Sequence, residues 1–288
     1  MSIFKFFFSK NELRVSQDAQ ISELQIIVNL RNLRKNRYRM GAISSNQIKF
    51  IRSLADKKFR DEYGLFTVEG EKMVSEALAS PFTVEQVYRR DEIGVEAMSR
   101  ISQLSSPSPV LAVVRKADND CVHPGIPSKG LFLGLDSIRD PGNLGTILRI
   151  ADWYGMDGVF ATRDTVDLYN PKVVQATMGA IFRVKYCTTD LPALCGSFAA
   201  AGGKVYGTFL DGRNIYEREL ACGDGCPVLV LTGNESRGIS PEVDAQVSDR
   251  LYLPPYPPDS PGSESLNAAV ATALTVAEFR RRLSYSTK

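Results

Sequence analysis

From Ser44 onward the apolar positions follow two alternating rhythms. Ile48, Ile51, Leu54 and Ala55 recur at helical spacing behind Ser44-Ser45-Asn46, residues able to cap a helix start. Such a helix projects Lys49 and Arg52 outward, with Lys57 and Lys58 close behind. Short strand-like runs follow at 66–68, 84–88 and 110–114, separated by helical patterns over 72–79 and 95–104. This alternation predicts a small α/β domain over 43–117. Residues 118–129 are polar and rich in turn formers, which reads as a linker, and the single histidine, His123, sits there as a solvated residue. Beyond it, apolar runs at 131–135, 158–161, 205–210, 228–231 and 251–253 alternate with helical patterns at 144–154, 172–179 and 191–201. That is the pattern of a mostly parallel sheet covered on both faces, predicted over 130–288. Ligands of such sheets bind beyond the carboxyl ends of the strands.

Composition narrows the class. Hydrophobic residues at 43% with 24% charged residues exclude a disordered or fibrous chain. No apolar stretch is long enough to span a bilayer, so no membrane role is expected. The net charge of +2 is unevenly spread: residues 1–60 hold 13 Lys and Arg against 4 Asp and Glu, leaving 22 against 29 for the rest. Charge alone leaves both a polyanion contact and a merely solvated basic face open. The five cysteines are odd in number, which points to reduced thiols and a cytoplasmic setting. Cys222 and Cys226 have the spacing of half a zinc site, but with no second pair nearby and one histidine no metal is expected. Residues 1–42 read as a basic tail, disordered or wrongly annexed to the protein, with Met40 as a candidate start; Phe4 to Phe8 is too short for a signal sequence.

Three constellations carry candidate chemistry. The first runs from Leu135 through Asp140-Pro141-Gly142-Asn143 to Arg149: a strand end, a turn and a helix on which Arg149 falls off the apolar stripe of Leu144, Ile147, Leu148 and Ala151. Asn143 is open to reading as an N-cap and Arg149 as a surface residue. The second is a buried strand running into Thr232-Gly233-Asn234-Glu235-Ser236-Arg237-Gly238, where glycines let backbone approach a ligand closely. The third joins the strand at Leu253 through a proline-rich loop to Ser265-Leu266-Asn267, which opens a helix dense in small residues. Ser265 and Asn267 are equally plain as caps.

Together the three constellations resemble the three motifs of the SpoU (TrmH-like) branch of the SPOUT RNA methyltransferases. The resemblance spans about 131–283 and includes Asp167-Leu168-Tyr169-Asn170-Pro171-Lys172 and Gly179-Ala180-Ile181-Phe182-Arg183. Residues from Lys58-Phe59-Arg60 to Gly64-Leu65-Phe66-Thr67-Val68-Glu69-Gly70 are similar to the L30e-like substrate-binding domain that precedes many SpoU domains. The resemblance implies a small L30e-like α/β domain followed by a catalytic α/β domain with a deep trefoil knot. It implies S-adenosylmethionine as cofactor, contacted by Thr208, Gly212, Gly233, Leu253 and Leu266. Asn143, Arg149, Glu235, Ser265 and Asn267 are implied around a reacting ribose 2′-hydroxyl, and Lys49, Arg52, Lys57, Lys58 and Arg60 at RNA phosphates. Arg149 is the family's proposed base, but a guanidinium is better suited to orienting the ribose and stabilising an alkoxide. The preceding module points to structured ribosomal RNA as substrate. The alternatives are transfer RNA, or a non-catalytic RNA- or ribosome-binding protein on the same fold. Family members are homodimers. The chain departs from the family at Pro254-Pro255-Tyr256-Pro257-Pro258, where a shorter glycine-containing turn is usual.

Overall fold

The computed structural model describes residues 25, 27–29, 43–121, 124–257 and 264–286. His123 and Met40 lie outside them. Two compact units divide the described residues: one takes those up to 118 together with 167–183, the other takes 119–166 with 184 onward.

The first unit opens with α1 (Ser45–Ser53), capped by Ser44, whose hydroxyl accepts from the Gln47 N–H while the Gln47 side chain accepts from the Ser44 N–H. There follow α2 (Lys57–Tyr63), β1 (Leu65–Glu69), α3 (Glu71–Leu78), β2 (Val84–Arg89), α4 (Arg90–Ile93), α5 (Val95–Ile101) and β3 (Val110–Arg115). The strands form an antiparallel sheet in the order β1-β3-β2. Ile48, Ile51 and Leu54 on α1 pack with Met98, Ile101, Leu111 and Val113 as its core. No fold was expected for residues 1–42, yet Gln25, Ile27, Val28 and Asn29 are helical, and the Asn29 carboxamide, 1% exposed, holds the carbonyl of Phe82 and the N–H of Val84 at the start of β2.

Segment 167–183 also folds into this unit. Its short helix, Pro171–Ala176, starts behind Asn170, whose side chain accepts from the Lys172 N–H. Tyr169 packs its ring on Phe66 at 4.6 Å and Phe182 meets Phe82 edge-on at 5.3 Å.

The second unit contains β4 (Gly130–Leu135), α6 (Pro141–Trp153), β5 (Gly158–Ala161), β6 (Tyr186–Thr188), α7 (Leu191–Ala200), β7 (Lys204–Asn214), β8 (Pro227–Thr232), α8 (Pro241–Asp244), β9 (Asp249–Tyr252) and α9 (Ala268–Ser286). Its six strands pair in parallel in the order β6-β5-β4-β8-β7-β9, the predicted parallel sheet. Phe132, Phe160 and Phe198 meet ring to ring in a core beneath β4, β5 and α7. β7 is longer than the apolar run 205–210 because its pairing with β9 breaks after Thr208 and resumes at Arg213. Within the stretch read as a linker, Asp120 bridges Thr188, and the Cys121 N–H donates to the Thr188 carbonyl at 2.9 Å, extending the sheet beyond β6. One expectation needs correction. Cys121 is joined to Cys187, so these two cysteines are not free thiols as Cys195, Cys222 and Cys226 are.

Near the end of α9, Glu278 binds Arg281 and Arg282, and Arg282 reaches on to the carbonyls of Ile215, Tyr216 and Arg218. These two guanidinium groups hold the Glu278 carboxyl at about 2, well below its ordinary 4.5. The helix thereby ties down the segment after β7. Among the described residues no helix is long and apolar enough to cross a membrane.

Candidate active site

All three constellations stand at carboxyl ends of strands in the second unit. After β4 the chain turns at Ser137 and enters α6 behind Asp140, whose carboxylate accepts from the Asn143 N–H at 2.8 Å, with Pro141 in the first helical position. Asp140 is thus the N-cap, not Asn143. That leaves the Asn143 side chain, on a residue 8% exposed, free for longer-range contacts. Its Nδ2 donates to Glu235 Oε1 at 2.9 Å, and its Oδ1 accepts from Asn267 Nδ2 at 2.9 Å. Its two partners are 92 and 124 positions away, so one carboxamide joins all three constellations. Asn267 caps α9 as well, its Oδ1 accepting from the N–H groups of Ala269 and Val270.

Glu235 is the hub of the cluster. Its Oε1 also accepts from the Asp140 N–H at 3.1 Å and its Oε2 from the Arg139 N–H at 3.2 Å. Partial desolvation disfavours the charged form, but the hydrogen bonds from Asn143 and from backbone N–H groups outweigh it and hold the carboxyl below its ordinary range. A carboxylate so fully engaged is an organiser of the loop rather than a poised proton acceptor.

Arg149 lies on α6, exposed, with no hydrogen bond or ion pair among the described residues. It is a free guanidinium on a rigid helix. Ser265 is likewise exposed and without a partner there.

The residues expected at a cofactor gather in part at the ends of neighbouring strands. Thr208 sits on β7 beside Leu251 of β9, and its hydroxyl donates to the Leu231 carbonyl of β8 at 3.3 Å. Gly212 lies flat against β9, where an added Cβ would come within 2.6 Å of the Leu251 backbone. At Gly233 a Cβ would fall 2.2 Å from the backbone of Gly238, because Asn234 and Gly238 pair back to back at 2.9 Å and close the loop on itself. Leu253, directly after β9, is half-buried, and Leu266 is 49% exposed.

Three positioning residues were not picked out from the sequence. Asp136, 2% exposed, accepts from the Ser240 N–H at 2.7 Å and so anchors the far end of the second constellation to β4. Ser137 takes a left-handed φ of 59°, unusual for a residue with a side chain. Its carbonyl accepts from Asn234 Nδ2 at 2.7 Å and its hydroxyl donates to Asp164 at 2.7 Å. Asn234 Oδ1 in turn accepts from the N–H groups of Ser236 and Arg237. The signal was present: polar residues directly after two wholly buried strands have no structural reason to be there unless they bind the adjoining loops.

In the first unit Lys49, Arg52 and Lys58 are exposed and free of ion pairs among the described residues, while Lys57 pairs with Asp61 at 2.5 Å. Arg60 corrects the expectation of a phosphate contact. Its side chain is 2% exposed, with Nε and one terminal nitrogen on Asp167 and the other on the carbonyls of Leu54 and Ala55. A guanidinium with every face engaged is a structural fastener for segment 167–183. Among the described residues no group of three His, Cys, Asp or Glu side chains is placed to hold a metal.

Comparison with known proteins identifies relatives over most of the chain. Residues 130–277 match the SpoU rRNA Methylase family, and residues 45–117 match the MRM3-like substrate binding domain. The chain is 30% identical over 251 residues to the 23S rRNA (guanosine(2553)-2′-O)-methyltransferase RlmP of Bacillus subtilis, covering 82% of this chain and 96% of that one. It is 28% identical to human mitochondrial rRNA methyltransferase 3, over 79% of this chain and 70% of that one. Among solved structures, a TrmH-family protein from Porphyromonas gingivalis superposes with a TM-score of 0.74 at 38% identity, covering 84% of this chain and all of that one. The AdoMet-bound rRNA methyltransferase of Sinorhizobium meliloti gives 0.72 at 28% identity, covering 84% and 97%. With the family's pattern matched over half its length and its three motifs joined through Asn143, the chain belongs to the SpoU rRNA methylase family.

Proposed function

We propose that the chain transfers a methyl group from S-adenosylmethionine to a ribose 2′-hydroxyl of ribosomal RNA. The observation that carries this is the convergence of Asn267, Asn143 and Glu235 at the start of the helix that bears Arg149, which has no partner among the described residues. The likeness to RlmP and to the AdoMet-bound enzyme supports substrate class and cofactor.

The residues present suit that cofactor. The ends of β7, β8 and β9 offer backbone groups, the Thr208 hydroxyl, two glycines without room for a side chain, and leucines, a neutral lining that fits an uncharged adenosine. Thr208, Gly212, Gly233, Leu253 and Leu266 would hold it there. S-adenosylmethionine supplies an electrophilic methyl on a sulfonium centre. A hydroxyl attacks such a carbon poorly unless its proton is leaving, and with Arg149 already protonated and Glu235 engaged by its hydrogen bonds that proton passes to water. Arg149 orients the ribose and stabilises the negative charge growing on the 2′-oxygen, while Ser265 and Asn267 position the sugar and Glu235 keeps the loops in register. Lys49, Arg52, Lys57 and Lys58 neutralise RNA phosphates.

Mass mapping of 2′-O-methylated nucleotides in ribosomal and transfer RNA, from cells with and without the gene, tests the assignment. One ribose methyl missing from ribosomal RNA and restored by the wild-type gene is the expected result. An unchanged map under expressing conditions would refute it.

The family reading extends to a substrate-binding domain over 43–117, a linker over 118–129, a knotted catalytic domain over 130–288, a cytoplasmic location and a homodimer. The dimer has support on the surface: Val270 and Leu274, one turn apart near the start of α9, are each more than 40% exposed. Sedimentation at the mass of two chains is expected; a single-chain mass at micromolar concentration would overturn the dimer.

A further inference from the structure

We infer that α1 and α2 carry a stacking platform for an unpaired RNA base, with Tyr63 as its outer ring. The inference rests on the RNA reading above and deepens it. Three rings form a layered group: Phe50 is anchored on the core of the first unit, Tyr63 meets it at 5.1 Å with an interplanar angle of 65°, and Phe59 lies 6.2 Å from Tyr63 with its plane only 9° away. Lys58 reaches over Phe59, 5.8 Å from its centroid. Tyr63 ends α2 directly before Gly64, whose left-handed φ of 64° turns the chain away. Tyr63 is 41% exposed as a residue, and its hydroxyl has no partner among the described residues. It is braced by Phe50 and Phe59, so a planar ligand can settle on it without first freezing a mobile side chain.

The charges around it select the ligand. Of the carboxylates on α2 and at its start, Asp56 is committed to the Lys58 N–H and Asp61 to Lys57 and Lys116. Among the described residues Lys49, Arg52 and Lys58 have no ion-pair partner, and Glu62 is the acidic side chain on α2 without one. An aromatic group with Lys58 over one of its rings, on helices that also carry exposed Lys49 and Arg52, complements a nucleotide, whose base stacks while its phosphates are neutralised. Bases inside a duplex are already stacked and closed to such a ring, so the partner is a loop, bulge or end.

The test is binding of the full chain to large-subunit ribosomal RNA isolated from cells lacking the gene, measured across a salt series. Tyr63→Ala is expected to weaken binding about ten- to a hundredfold, the range for losing one stacked base, with the slope of log K against log salt unchanged. Tyr63→Leu, which keeps apolar cover but not the ring face, behaves the same, and Tyr63→Phe restores affinity. Arg52→Ala lowers the slope by about 0.7 to 0.9. An unpaired octanucleotide competes with the wild-type complex better than an RNA duplex of equal charge. Wild-type affinity in Tyr63→Ala, or equal competition by the duplex, overturns the platform and leaves the methyltransferase reading untouched. Failure of the wild-type chain to bind this RNA overturns that reading instead.

Discussion

Arg149→Ala is expected to slow methyl transfer at saturating RNA and cofactor by at least about a hundredfold, the usual cost of removing one group aimed at developing negative charge. The melting temperature should stay within about 1 °C of wild type, because an exposed side chain without partners among the described residues contributes little to the folded state. Arg149→Lys separates the roles open to this residue. A guanidinium is already protonated near neutral pH and is therefore a poor proton acceptor, and Arg149 stands in solvent rather than in an apolar pocket. If its work is electrostatic, the lysine variant keeps part of the turnover and its rate shows no new inflection between about pH 6 and 9. If it works as the base, the lysine rate climbs roughly tenfold per pH unit as the ammonium loses its proton. That climb would sink the electrostatic assignment.

Much of this architecture is legible in the amino-acid order because it is local. The Ser44-Ser45-Asn46 start sets a helix within a few residues, and wholly apolar runs such as 228–231 declare buried parallel strands. What is not legible is set by partners far along the chain. Arg60 looks like any other cation of a basic stretch until Asp167, 107 positions later, closes on it. Segment 167–183 carries the rhythm of the second domain yet is drawn into the first unit by that pair and by Tyr169 and Phe182. β6, three residues long, is too short for any period to show. Asn143 could be read as a cap or as a site residue with equal ease. Only the position of Asp140 three residues earlier releases its side chain for Glu235 and Asn267.

Glu235→Gln probes that junction and should affect activity and stability together. An amide of the same shape offers one oxygen where the carboxylate offered two. Whichever way it turns, its NH2 faces a donor: the Arg139 N–H, or the Asp140 N–H and Asn143 Nδ2. Losing charge-assisted bonds on a partly solvated group is expected to cost about 1–2 kcal/mol, and thus to lower the melting temperature by a few degrees. If the cluster positions the reacting groups as proposed, a displacement of about 1 Å is enough to lower methyl transfer by roughly a hundredfold. The pH dependence has a definite sign. The folded carboxyl titrates below its ordinary 4.5, so its stabilisation is complete above that value and is lost as pH falls through the lower, folded one. The melting difference between wild type and Glu235→Gln should therefore be constant near neutrality and close in acid. Were Glu235 instead the base, the wild-type rate at saturating RNA and cofactor would fall in acid with the titration of this carboxylate, and the loss of turnover in the variant would far exceed that of Asn143→Ala at a similar loss of stability. Asn143→Ala supplies the second side of the cycle. If both residues act through their shared bond, the double variant is little worse than either single one, whereas additive losses would show that Glu235 works independently of the link to Asn267.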